Sequence, residues 1–171
     1  MNYFALEPVL LKHLADHCPS IHAVEGLPKV WSLMGDAQRV NELNPNGRGG
    51  AAFVIFWGED VTQARRDCDR ANQTWLIGVV SKNHSRMAES KEARRDNGKL
   101  VDEVLKALRG WDYGAALGTV LGQTMHKRYL KRVSCPVNHH QLEHTENGVT
   151  ITLLAYVAED LIVGAAPTAP T

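Results

Sequence analysis

The sequence predicts an α+β domain, in which a mixed, mostly antiparallel β-sheet of about four to five strands packs against two main helices. Three observations carry that expectation. The runs AAFVIFW at 51–57 and TWLIGVV at 74–80 are short, apolar and rich in β-branched and aromatic residues, as buried central strands are. Leu100, Val101, Val104, Leu105 and Leu108 recur at helical spacing, and Gly110 followed by Trp111 supplies a stop with an apolar partner. Residues 129–137 and 149–157 read as two further strands, joined by an extended hairpin over 138–148 with an Asn147-Gly148 turn signal.

The first helix is expected over 6–17, where Leu6, Val9, Leu10, His13, Leu14 and His17 share one face. Pro8 fits its first turn, which has no intrahelical use for the missing N–H. Cys18-Pro19 ends it, because the residue before a proline is pushed out of the α region. Residues 21–25 alternate as a short strand and Gly26 breaks it. Residues 27–34 are assigned a turn of helix with Val30, Trp31 and Met34 inward. Residues 35–50 form a loop, since Asn44, Pro45, Asn46, Gly47, Gly49 and Gly50 are turn formers.

Strand 51–57 is apolar throughout and should be covered on both faces. Residues 58–73 are polar and read as a long loop, well beyond the two to five residues that close a hairpin. Long loops on a rigid scaffold are where binding surfaces are commonly built. Polar residues 83–99 lead to the second helix, with Asp96 or Asn97 as its N-cap. Gly114, Gly118 and Gly122 make 113–127 look irregular. The domain should span 1–163, followed by a low-complexity, flexible tail at 164–171.

Composition narrows the functional classes. The chain has 171 residues, and its 19 basic residues balance 19 acidic ones. Proteins that live on DNA or anionic membranes usually carry a basic excess, so neither a membrane nor direct sequence-specific nucleic-acid binding is expected. Cys18, Cys68 and Cys135 are odd in number and far apart, unlike a disulfide framework. No signal peptide is visible at the N-terminus and no run of eighteen or more apolar residues exists, which points to a reducing cytoplasm as the place of folding.

No enzyme chemistry stands out. His140-Gln-Leu-Glu-His144 has the spacing of the inverted zinc peptidase motif, in which two His on one helix turn hold Zn²⁺ and the Glu polarises water. Here it lies between two strands, and a His-rich hairpin is the better reading. Cys135, His139, His140, His144 and His126 could form a looser zinc set, but Cys135 precedes a proline in a strand and serves equally well as a small core residue. Arg48-Gly-Gly50 precedes a strand and no Gly-Lys-Ser/Thr follows, so no phosphate loop is present. His13 and His17 sit one turn apart at the border of a buried face. Trp31, Trp57, Trp75 and Trp111 are core or subunit contacts. No catalytic residue, metal or cofactor is assigned.

The order of these elements resembles a known family. Val24-Glu-Gly-Leu27, the strand leading into Phe56-Trp57-Gly58-Glu59, the Trp75-Leu-Ile-Gly-Val-Val80 strand, the helix ending Ala107-Leu-Arg-Gly-Trp111 and the final Val149-Thr-Ile-Thr-Leu-Leu-Ala-Tyr156 strand are similar to those of the tail terminator, or tail completion, proteins of long-tailed bacteriophages and prophages. The resemblance runs from about residue 6 to 159. It implies a non-enzymatic virion protein at the head-proximal end of the tail. Such a protein forms a homohexameric ring, caps the tail tube protein and meets head-completion or neck proteins. Arg39 and Arg48, then Arg65, Arg66, Asp67 and Arg70, and finally His139 and His140 are the candidate subunit and tail contacts, chosen for loop length and polarity. A connector or adaptor ring of the neck is the alternative within the same class. A zinc hydrolase using His140, Glu143 and His144 is the alternative outside it.

Overall fold

The computed structural model describes residues 4–27, 50–64, 69–82, 90–137, 141–144 and 149–163. In chain order these are α1 (Leu6–His17), β1 (Ile21–Leu27), β2 (Gly50–Ala64), β3 (Asp69–Lys82), α2 (Ser90–Leu108), α3 (Tyr113–Leu121), β4 (Lys131–Val133), β5 (Gln141–His144) and β6 (Val149–Val163). The sheet runs β1-β2-β3-β6-β4, and β5 pairs with β6 as well. β4 opposes Val157 to Ala155 and β5 opposes Thr152 to Val149, so the two short strands share one edge. Six strands thus fill five positions. Among the described strand pairs only β1–β2 is parallel.

All three helices contribute to the core on one face. Leu6, Leu10 and Leu14 of α1, Val104 and Leu108 of α2 and Leu117 of α3 meet Ala52, Val54, Trp75, Ile77, Val79, Leu154 and Tyr156 of the sheet. On the opposite face Ala51, Phe53, Ile55, Leu76, Val80, Ile151, Leu153 and Ala155 are also buried, with Val133, Cys135 and Val137 packed against them. Residues 51–55 are therefore enclosed on both faces, as their unbroken apolar sequence requires. Trp57 departs from that expectation: it is 44% exposed.

α1 has the expected limits. It has no side-chain N-cap, and Cys18 N–H closes it by donating to the Leu14 carbonyl at 2.9 Å. Gly110, at φ 68°, ends the turn after α2 as anticipated. Trp111 then folds back to stack on His13, with centroids 3.8 Å apart and planes 5° from parallel.

Several expectations change. α2 begins at Ser90, so Asn97 lies inside the helix instead of capping it. Its amide donates to the carbonyls of Val79 and Thr150, each at 3.1 Å, and its oxygen accepts from Thr152 Oγ1 at 2.6 Å. One buried side chain thereby joins α2 to β3 and β6. Residues 113–121 are helical: Asp112 caps them by accepting from Gly114 N–H at 3.0 Å, and Gly122, at φ 66°, ends them. β1 continues through Gly26 to Leu27. Residues 58–64 and 69–73 are strand, not loop, because their ladder continues and β6 runs on to Val163 beside β3. The expected strand at 129–137 contracts to Lys131–Val133. Residues 28–49 and the tail at 164–171 lie outside the described residues.

Candidate functional site

Beyond the core, β2, β3 and β6 continue together as a three-stranded arm made of residues 58–64, 69–73 and 158–163. Irregular pairing marks its base. The register steps between Phe56–Trp75 and Gly58–Thr74, which leaves Trp57 as an extra residue, and steps again at Thr62. On β6 it steps between Gln73–Ala158 and Ala71–Leu161. Such bulges bend a strand and increase its twist, so they re-aim the arm relative to the core sheet.

The β6 bulge is clamped by charge and hydrogen bonds. Asp160 takes φ 56°, an uncommon conformation for a residue with a Cβ. Its N–H donates to Asn72 Oδ1 at 2.9 Å, and its carboxylate receives the Arg70 guanidinium. Arg128 donates to the Glu159 and Asp160 carbonyls, both at 2.8 Å. Arg128 is itself held by its backbone N–H, which donates to Asp112 Oδ1 at 2.8 Å. One carboxylate thus caps α3 and fixes the arginine that braces the arm.

The outer side of β2 is open along the arm. β1 follows it only as far as Ile55, and no described strand pairs with that side beyond. Trp57 and Val61, 44% and 54% exposed, lie on this stretch. A long exposed strand edge with apolar side chains is a template for pairing with another chain, and Lys or Pro normally guards it. Residues 57–64 hold neither. Next to this edge, Phe4, Glu7, Gly26, Leu27 and Phe56 line a cleft of about 380 Å³. Phe4 meets Phe56, and Phe56 meets Trp75, in edge-to-face contacts with centroids 5.2 Å apart. Burial raises the Glu7 carboxyl above its ordinary value.

Of the sequence-derived contact candidates, Arg70 is described, and its guanidinium is engaged within the chain by Asp160. Arg39, Arg48, Arg65, Arg66, Asp67, His139 and His140 lie outside the described residues. Gln141–His144 is an extended strand, which is not the helix turn that His-x-x-Glu-His chemistry needs. Among the described residues no group of three or more His, Cys, Asp or Glu side chains is placed to hold a metal. Sequence reasoning missed Trp57, Val61, Arg128 and Asp160 as parts of the arm. The two unguarded apolar residues after a continuous strand were the signal for the first pair; nothing local marks the second.

His13 and His17 are packing residues in this structure. His13 stacks between His17, with centroids 4.1 Å apart, and Trp111, while its Nε2 sits 2.9 Å from the Ala107 carbonyl. Burial lowers its affinity for a proton. Cys18 is fully buried, and its thiol is pushed up to about 11 by burial, with Glu103 adding to the shift. A thiol so placed is inert at neutral pH. Among the described residues no helix is long and apolar enough to cross a membrane.

Comparison with known proteins supplies the remaining identification. No curated protein matches the chain. A family model described as phage tail terminator protein matches residues 1–123, which run from the N-terminus through α1, the β2–β3 pair, α2 and α3. β4, β5 and β6 follow the matched region, although β6 lies inside the sheet. On the extent of that match, together with the α+β fold, the chain belongs to the phage tail terminator protein family.

Proposed function

We infer that this phage tail structural protein acts as a ring that caps the tail tube, ends its polymerisation and presents a surface to the neck at the head-proximal end. The open arm edge carries the reading. Among the described residues its outer side has no strand partner, and it carries two large apolar side chains, Trp57 and Val61, beside an enclosed core. The mechanism is geometric: one set of edges binds copies of the same chain and the last tube ring, and the outward surface does not repeat the tube's own interface. A head-to-tail contact of this kind closes into a ring when its rotation divides a full turn, as six copies require. The candidates Arg39, Arg48, Arg65, Arg66, Asp67, His139 and His140 belong to the same proposal, as contacts to the tube and neck.

The test mixes the protein with purified tail tubes and measures capped tube ends and tube length by electron microscopy. Trp57→Ala combined with Val61→Asp should keep the subunit folded, since exposed positions usually change stability by within about 0.5 kcal/mol. The same variant should lose tube binding. Capping at the wild-type level by this variant would remove the arm from the mechanism.

A further inference from the structure

Exposed charges on the helices are mostly matched locally. Lys12 pairs with Asp16, Lys99 with Asp96 and Lys106 with Asp102. At the two edges of the sheet several are not, although Lys131 of β4 pairs on the surface with Glu159 of β6 at 3.3 Å. Glu59 and Asp60 lie on the open edge of β2, and neither makes an ion pair among the described residues; one Glu59 carboxylate oxygen is buried without a hydrogen-bond partner. At the other side of the sheet, Arg132 of β4 and Arg109, just past α2, are exposed and likewise make no ion pair among the described residues.

The signs differ between the β2 arm and β4. Residues 57–64 contain two acids and no Lys or Arg. Residues 127–132, leading into and through β4, contain Lys127, Arg128, Lys131 and Arg132 and no acid; Arg128 and Lys131 are engaged by Asp160 and Glu159, and Glu143 stands on β5 further along the same edge. The faces also correspond. Glu59 opposes Gln73, two residues from Trp75 on the helix-covered face, and Arg132 opposes Tyr156, whose ring is buried on that same face. Directly opposed residues share a face, so Glu59 and Arg132 both lie on the helix side, at opposite edges. Burial raises the Tyr156 hydroxyl, and the positive charges of Arg132 and Arg109 offset part of that rise, which places both guanidiniums near it. On the other face the order repeats, with Asp60 at the β2 edge and Lys131 at the β4 edge.

We propose that the acidic β2 edge of one copy docks on the basic β4 edge of the next, with Glu59 facing Arg132 and Arg109 and Asp60 facing Lys131. This names the partner for the open edge and rests on the ring reading above. The contact is heterologous: each copy uses two different edges, so no copy satisfies itself and the chain of contacts continues until it closes. It also keeps the helix-covered faces on one side of the ring. Opposite charges at the approaching edges steer copies together and disfavour the like-edged pairings, β2 on β2 or β4 on β4.

Charge exchange tests it. Particle mass is measured for the full-length chain, alone and with tail tubes, with circular dichroism to confirm the fold. Glu59→Arg and, separately, Arg109→Glu with Arg132→Glu should each lose the wild-type ring while staying folded. The variant carrying all three changes should recover it. A wild-type ring that persists through both single-edge variants overturns the edge pairing alone. Folded single-edge variants that lose the ring without recovery in the combined variant overturn it too. A wild-type chain that stays monomeric in the presence of tubes overturns the ring reading, and this pairing with it.

Discussion

Asn97 is a polar residue doing a core residue's work. It is 1% exposed and ties three groups on two strands to α2. Asn97→Ala strands the Thr152 hydroxyl and removes two carbonyl partners, which should cost about 2–3 kcal/mol in urea unfolding. Its polarity is also why sequence reading put it at a helix end, where Asn is at home, and not in a buried interior. His13 offers a second residue-level test. The unfolded imidazole binds a proton near 6.5, while the folded one, being buried, binds it only at lower pH. Between those two values the unfolded chain holds more protons, so acidification through that window favours unfolding. The His13 contribution is complete above the unfolded value and falls away as pH drops below it. Thermal midpoints should decline from pH 7.5 towards 5.5, and His13→Gln should flatten the decline.

The elements show which patterns a sequence exposes. α1 and the central runs of β2 and β3 were legible because burial on one or both faces writes a clear apolar period. The arm was not. Its residues Gly58, Glu59, Asp60, Thr62 and Gln63 look like loop because an exposed strand needs no apolar alternation, only a partner to pair with. Their direct partner is the nearby polar start of β3, which lacks apolar alternation too, and the strand that flanks that start, the far end of β6, lies over 80 residues later, outside any local window. The polar start of α2 failed in the same way, lacking an apolar stripe. α3 is missed because its glycines make the segment look irregular. Gly114 in fact allows close approach: a Cβ there would lie 2.2 Å from the His126 carbonyl and 3.2 Å from Arg128 N. Gly114→Ala should therefore cost about 1–3 kcal/mol, since backbone must move to admit it. Gly98, in α2, has nothing within 4 Å of such a Cβ, so Gly98→Ala should stabilise by roughly 0.5–1 kcal/mol. Opposite shifts in midpoint for these two substitutions would separate packing from propensity.

At the scale of the molecule, net charge proved a poor guide. A balance of 19 against 19 predicted no strong field, and it concealed two neighbouring acids, Glu59 and Asp60, on the β2 arm and two neighbouring bases, Lys131 and Arg132, on β4. Segregation of that kind needs strand order, which composition does not carry. The fold class and family were legible from element order; the place of the exposed surface was not, because most contact candidates were chosen for polarity and the open edge is partly apolar. β6 has one more consequence. It pairs with β3, β4 and β5, yet it follows all of them in chain order and so leaves the ribosome after them. Until it emerges, a nascent polypeptide has β3 paired with β2 on one side and leaves the other side of β3 without its strand. Translation at about 5–20 residues per second makes that wait several seconds long. Under the edge pairing proposed above, only copies that include β6 present both borders, so a product stopped short of it should be left out of the ring.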